Sequence, residues 1–215
     1  MSVKVAREKF GEKAFEAAKE ELLQLIVHKK ALRVLKWNEV KRLFDQAKLA
    51  TVLMSHMFFK EKYDGAGKFE KLKARLVGDG RIQVRDEDYS SPTARIESIF
   101  NSLKIIVEED RKTLILDIGS AYLNARIDSE VFMWLGREVA EIIIKIMPEY
   151  KDYLDDRGRL LVQIEKALYG LIQSAKLWYD HLTGVLLKNG FKVNKMDECI
   201  WNMTKNGIQT TIVIY

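Results

Sequence analysis

The sequence predicts an α+β fold in which an antiparallel sheet packs on helices. Helical and strand-like apolar patterns share the chain without strict alternation, which argues against a doubly wound sheet. Two glycine-bearing turns, Tyr63–Gly67 and Asn206-Gly207, each separate a pair of apolar strands, as hairpin turns do. The 215 residues are 47% hydrophobic and 31% charged, enough apolar material for a sizeable core. Two prolines and twelve glycines do not fit a disordered or fibrous chain.

Each element has its own signal. Over 12–29, Ala14, Ala17, Ala18, Leu22, Leu25 and Ile26 recur at helical spacing, with Glu and Lys on the other face. A short helix is predicted over 37–48, with Asn38 available as its cap. Leu53–Glu61 and Lys68–Val77 read as strands, and 78–91 as an irregular polar stretch. Ser91-Pro92 opens a helix to about Glu109, since proline is tolerated in a first turn. Ile96, Ile99, Leu103, Ile106 and Val107 are its expected buried stripe.

Leu114-Ile115-Leu116, ending in Asp117, reads as a buried strand, and Ala121–Ala125 as a helical turn. The apolar helix predicted over 137–147 stops at Pro148. Asp155-Asp156-Arg157-Gly158 turns into the strand Leu160–Glu165. A long helix over 174–189 ends at Asn189-Gly190. Strands at 191–194, 199–203 and 208–215 complete the list.

Composition excludes several classes. A single cysteine, Cys199, rules out an internal disulfide framework and points to a reducing, intracellular setting, cytoplasm or nucleus. No apolar run approaches the roughly 18–20 residues that span a bilayer, so no membrane role is expected. Residues 1–7 have no signal-peptide core. No CxxC or His-rich spacing points to zinc, and no P-loop or dinucleotide-binding glycine pattern is present. Cys199 is expected to be a buried structural thiol, because His28, His56 and His181 fall in separate elements and none can activate it.

The net charge of +5 is unevenly spread. Residues 60–85 carry eight Lys or Arg against four acids, whereas 128–156 carry eight acids against three bases. That pattern suits a protein holding a polyanion on one side, and equally suits two solvated faces of opposite sign. If strand alternation holds, Lys71, Lys73 and Arg75 share one face, and Leu72, Ala74 and Leu76 take the other. Asp117, at the end of an apolar strand, would be held rigidly at a sheet edge, as a metal-binding carboxylate must be. From the residues alone, a cap for the turn at Gly119-Ser120 is the favoured reading.

Leu116-Asp-Ile-Gly-Ser-Ala-Tyr-Leu-Asn124 resembles the first polymerase motif of Copia-type LTR retrotransposon reverse transcriptases, Leu-Asp-Val-Lys-Thr-Ala-Phe-Leu-Asn. Lys166-Ala-Leu-Tyr-Gly-Leu-Ile-Gln-Ser-Ala-Lys-Leu-Trp-Tyr179 resembles that family's Lys-Ala-Leu-Tyr-Gly-Leu-Lys-Gln-Ala-Pro-Arg-Ala-Trp-Tyr. Phe69–Val77 is similar to its Tyr-Lys-Ala-Arg-Leu-Val fingers segment, and Asp197–Trp201 to Asp-Pro-Cys-Leu-Tyr. The likeness covers roughly 30–215 and departs from the family pattern at 78–95 and 134–150.

The resemblance implies an RNA-directed DNA polymerase acting with Mg2+ on an RNA or DNA template with primer and on deoxynucleoside triphosphates, within a retrotransposon polyprotein. It carries Asp117 over as catalytic metal ligand, with the Ile118 carbonyl completing the coordination. Lys73 and Arg75 then grip the triphosphate. Tyr122 stands where an aromatic gate excludes the sugar 2′-hydroxyl, although alone it reads as an ordinary core aromatic. Gly170 lets backbone approach a nucleotide, and Gln173 lies on that surface.

The implied organisation is an N-terminal helical extension (1–30), fingers (31–95 and 131–168) and a palm (96–130 and 169–215), without a thumb. The family's Tyr-Val-Asp-Asp would begin at Tyr215, so this polypeptide is expected to carry one catalytic carboxylate of three and not to polymerise alone. The alternative is a non-catalytic nucleic-acid-binding relic of a retroelement.

Overall fold

The computed structural model describes residues 1–38, 40, 52–83 and 88–215. Two helices open the chain, α1 (Val3–Phe10) and α2 (Glu12–Leu23), and α2 runs on into a π-helical turn, Gln24–His28. Trp37, Asn38 and Val40 are helical, while the rest of the helix expected over 37–48 lies outside the described residues.

The main sheet contains β1 (Leu32–Leu35), β2 (Leu53–Tyr63), β3 (Phe69–Gly78), β4 (Arg126–Leu135) and β5 (Leu160–Lys166), in the order β1-β5-β4-β2-β3. Every pairing is antiparallel except β2 with β4, which run parallel at Leu53↔Met133 and Met54↔Trp134. The expected antiparallel sheet is therefore mixed, within an α+β fold. Between β3 and β4 the chain makes a long excursion through α3 (Ile96–Glu108), and such a crossover is what parallel pairing requires. β1 and β4 are additions to the expected elements. Leu32–Leu35 is too short to carry a period, and β4 is broken by a register shift between Arg126 and Val131.

α2 and α4 (Arg137–Ile146) cover one face of this sheet. Ala14, Ala17 and Ala18 are buried, and their small side chains let α2 lie close against β3. Leu22, Leu53, Leu76, Met133, Leu135, Ile143, Leu160 and Ile164 fill the space between. β3 is an edge strand, and its Leu76 N–H donates to the buried Glu21 carboxylate of α2 at 3.1 Å. The helix thus closes an edge that would otherwise be open to pairing.

The remainder is smaller. α5 (Ser174–Lys188) leads into a second sheet, β6 (Lys192–Val193), β7 (Ile200–Lys205) and β8 (Ile208–Val213), in that order. Asn206 and Gly207 have φ of 52° and 77°, the positive pair that a two-residue type I′ hairpin needs. Cys199 is fully buried, as a structural thiol should be.

Two expectations fail together. Leu114–Asp117 forms no strand, and Leu114, Ile115 and Leu116 are 78%, 93% and 76% exposed. α3 exists but begins at Ile96 rather than near Pro92, and none of its residues is buried. Ile96, Leu103 and Val107 of its expected stripe are exposed. A strand needs a ladder partner and a helix stripe needs a facing layer. Among the described residues neither finds one. The helix start is set instead by a distant side chain: the Asp197 carboxylate accepts from the Arg95 N–H and the Cys199 N–H, each at 2.9 Å.

Two stability predictions follow from these carboxylates. Burial pushes Glu21 above the usual range, against the pull of the Leu76 N–H. A carboxylate raised in the folded state contributes most at low pH and progressively less as pH climbs through its range. In urea titrations at neutral pH, Glu21→Gln should hold or gain stability, whereas Glu21→Leu, which orphans the Leu76 amide, should lose about 1–3 kcal/mol. Asp197 is shifted the other way, held low first by a hydrogen bond from Ser98 and then by the two amides. Its contribution is present above the ordinary carboxylate range and lost as pH falls through the depressed value. Asp197→Ala should cost about 1 kcal/mol and speed amide exchange at the start of α3. Unchanged exchange there would contradict that anchoring role.

Candidate nucleic-acid interface

The site is built around a backbone crossing. At the end of β3 the Gly78 N–H donates to the Tyr169 carbonyl at 2.9 Å, and the Gly80 N–H to the Gly170 carbonyl at 3.1 Å. A Cβ on Gly170 would stand 2.1 Å from the Gly78 oxygen, and one on Gly80 would stand 2.2 Å from the Gly170 oxygen. Gly170 also has φ +94°, which L side chains rarely adopt. The close approach at Gly170 is thus to the chain itself. Gln83 reinforces the crossing, its Oε1 accepting from the Ile172 N–H at 3.1 Å and its Nε2 donating to Gln173 at 3.0 Å. Gln173 is buried in this network, with Ser129 Oγ a further acceptor at 3.5 Å.

Above the crossing lies the β2–β3 hairpin. Its core face carries Met57, Phe59, Leu72, Ala74 and Leu76, all buried, in agreement with the expected alternation. Lys73 and Arg75 point the other way and are partly exposed. The Arg75 guanidinium sits 4.8 Å above the Tyr169 ring, and Tyr169 in turn lies 4.8 Å from Tyr122. Arg75, Tyr169 and Tyr122 therefore form one continuous cation–aromatic row.

Tyr122 sits in a 3-10 turn, Ala121–Asn124, entered through Ser120 in the left-handed region at φ 55°. The end of the first helical layer holds this turn: Gln24 donates to Ser120 Oγ at 2.7 Å, and Lys29 to Asn124 Oδ1 at 3.2 Å. The Ala167 N–H, donating to the Ala125 carbonyl at 3.0 Å, ties it to the end of β5. So Tyr122 and Arg75 meet through Tyr169, Lys73 stands two residues along the same strand face, and Gly170 and Gln173 belong to the crossing. Asp117 and Ile118 lie just upstream on the exposed 112–119 segment, outside this hydrogen-bond network.

Asp117 and the Ile118 carbonyl are hard oxygen donors, the type magnesium takes. Among the described residues no three His, Cys, Asp or Glu side chains gather as a metal site. The donors present are of the right chemistry but too few for a two-ion centre. At the crossing itself, between Gly78 and Gly80, Arg81 grips Asp79 with bonds of 2.8 and 2.7 Å and holds its carboxyl far below the usual range.

Tyr169 is the site residue that the sequence reading did not single out. The signal was its place immediately before Gly170 in the Lys166–Tyr179 motif. The Gly78/Gly80 pair has a physical reason in the crossing.

The family model described as reverse transcriptase (RNA-dependent DNA polymerase) matches residues 38–215. The retrovirus-related Pol polyprotein from transposon RE1 of Arabidopsis thaliana is 27% identical over 169 residues, covering 77% of this chain and 11% of that protein. The corresponding polyprotein from transposon RE2 of the same plant is 29% identical over 151 residues, covering 69% of this chain and 9% of its own. The chain thus spans about a tenth of the length of these curated relatives. No solved structure matches it.

The crossing predicts an asymmetry between two glycines. Gly170→Ala should destabilise by about 3 kcal/mol or more, because the methyl group meets backbone and the φ is strained. Gly184→Ala, in α5 with nothing within 4 Å, should gain up to about 1 kcal/mol. Equal melting shifts for the two variants would contradict the crossing.

Proposed function

The chain belongs to the reverse transcriptase (RNA-dependent DNA polymerase) family, and from that premise we propose that it forms the nucleotide-facing part of a retrotransposon RNA-directed DNA polymerase carried within a larger polyprotein. The observation that carries this reading is the Arg75–Tyr169–Tyr122 row, which joins the basic hairpin to the turn following Asp117. Residues 31–95 and 131–168 would be fingers, 96–130 and 169–215 palm, and 1–30 a helical extension that braces the hairpin through Glu21. The substrates would be deoxynucleoside triphosphates and a primer on an RNA or DNA template. No helix among the described residues is long and apolar enough to cross a membrane.

In this reading each residue has a limited task. Arg75 leaves the Tyr169 ring to take phosphate oxygens, for which a guanidinium fork is well shaped, and Lys73 adds a second cation. Tyr122 presents its ring edge to the sugar and excludes a 2′-hydroxyl. Gly170 and Gln173 act from below, keeping the loop under the nucleotide in one position. Asp117 contributes a carboxylate to magnesium, which in such enzymes stabilises charge on the attacking and leaving oxygens.

A second reading, nucleic-acid binding without chemistry, rests on the lysines of β2 and β3. Asp117 separates the two. In a polymerase containing this chain, Asp117→Asn should lower primer extension at least about a hundredfold. Its melting temperature should not move, because Asp117 is exposed. Full extension by the variant would overturn the metal-binding role of Asp117, whereas no extension by the unsubstituted protein would overturn the polymerase reading and leave binding alone.

A further inference from the structure

α2 does not finish as a regular helix. Its continuation, Gln24–His28, is π-helical, and the Lys29 N–H closes it by donating to the Gln24 carbonyl at 2.8 Å. π-helical turns are rare and occur frequently at functional sites. Around an α-helix, residues five apart diverge by about 140°. In a turn closed from i to i+5 they come round much closer to one side. Gln24 and Lys29 are such a pair, and both reach the same target. Gln24 Nε2 donates to Ser120 Oγ at 2.7 Å, and Lys29 Nζ to Asn124 Oδ1 at 3.2 Å. Ser120 and Asn124 are the two ends of the short turn that carries Tyr122.

The turn needs this support. Ser120 has φ 55° and ψ 40°, a left-handed conformation disfavoured for any residue with a side chain. The segment before it, 112–119, is exposed. Asn124 Nδ2 donates to the Ala121 carbonyl at 3.2 Å, so the hold of Lys29 on Asn124 is passed across the turn. Gln24, Lys29, Ser120 and Asn124 are all partly buried, where a hydrogen bond is stronger than in open water. The Tyr122 ring lies against Tyr169, with 4.8 Å between centroids. Tyr169 thus bounds the ring on one side, and the backbone of the turn sets where the ring begins. Both tethering residues belong to the N-terminal helical layer, outside the polymerase motifs of the sequence.

We propose that Gln24 and Lys29 are positioning residues for Tyr122. By gripping both ends of its turn they fix how far its ring projects toward the sugar, and with that how strictly a deoxynucleotide is selected over a ribonucleotide. This role rests on the polymerase reading in one respect, that Tyr122 faces the sugar. It makes the N-terminal helices a determinant of substrate choice, acting only through the turn.

Single-nucleotide insertion by a polymerase containing this chain tests it, with dATP and ATP as the competing substrates. Gln24→Ala with Lys29→Met should lower the ratio of kcat/KM for dATP to that for ATP by about tenfold, the low end of what a change in pocket shape costs in discrimination. Lys29→Arg, which keeps the donor, and Gln24→Glu, which can accept from the Ser120 hydroxyl, should keep the ratio. Tyr122→Ala should lower it further, and adding the Gln24 and Lys29 substitutions should then lower it no more, because they act through the ring. Equal losses with both nucleotides, or a further fall on top of Tyr122→Ala, would overturn the positioning role. A ratio that Tyr122→Ala leaves unmoved would refute the gate, and the selectivity role with it. Amide exchange in the 215-residue chain gives a readout independent of catalysis. The Leu123 and Ala125 amides, which donate to the Ser120 and Tyr122 carbonyls, should exchange about tenfold faster in the double variant, with β5 unchanged as the folding control. Unchanged exchange in the turn would overturn the tether. Faster exchange there, with no primer extension by the unsubstituted protein, would uphold the tether and refute the polymerase reading instead.

Discussion

The arrangement of the site depends on one backbone contact, the crossing of Gly78–Gly80 over Tyr169-Gly170. Two main-chain hydrogen bonds and the absence of side chains at Gly78, Gly80 and Gly170 let the end of β3 lie directly on the loop that leads to α5. Residues 90 positions apart in sequence are thereby fixed in register. Everything aromatic or cationic in the site follows from that register. Arg75, three residues before the crossing on β3, can only meet the ring of Tyr169 because Tyr169 is the residue bonded to Gly78. Tyr122 then joins the row because its turn is tied to the end of β5, just before the same loop.

The hairpin itself is held from its other side. α2 lies against β3 through alanines, and Glu21 supplies an acceptor to the edge amide next to Arg75. A buried carboxylate costs desolvation, but here it satisfies a donor that no strand reaches, and the nearby Lys73 and Arg75 offset part of its charge. The N-terminal helices are in this sense part of the interface rather than an appendage to it. They fix the hairpin from the core face, and its opposite face is left free to carry the cations and Phe58. By contrast, α3, 114–118 and the outer positions of β8 leave a run of apolar side chains in water, from Ile96 through Val107 and Ile115 to Ile208.

Much of this was readable from the sequence wherever the deciding interaction is local. Alternation in Phe69–Gly78 separates Leu72, Ala74 and Leu76 from Lys71, Lys73 and Arg75, and the structure keeps that division. Asn206-Gly207 specified its turn because both residues tolerate positive φ, and Asn189-Gly190 ended α5 for a related reason. The elements that were missed are those decided at a distance. Leu32–Leu35 is a strand because β5 stands beside it, not because four residues show a period. β4 is hidden by its register shift at the polar stretch before Val131. Leu114–Leu116 failed in the opposite sense. Its composition is that of a buried strand, yet an apolar run becomes a strand only when a ladder partner is present, and none is among the described residues. In the site, the residue types pointed to phosphate chemistry, but no local pattern could reveal that Gly170 faces Gly78 or that Gln173 is turned inward.

The central physical claim is that β3 and the loop before α5 move as one unit through the glycine crossing. Amide hydrogen exchange at Gly78 and Gly80 measures this directly. Both amides should exchange as slowly as those in the middle of β3 and share their dependence on denaturant, because both open only when the crossing opens. Exchange at the rate of a solvated loop, with β3 still protected, would show that the crossing does not hold. The Arg75–Tyr169–Tyr122 row would then lose its basis.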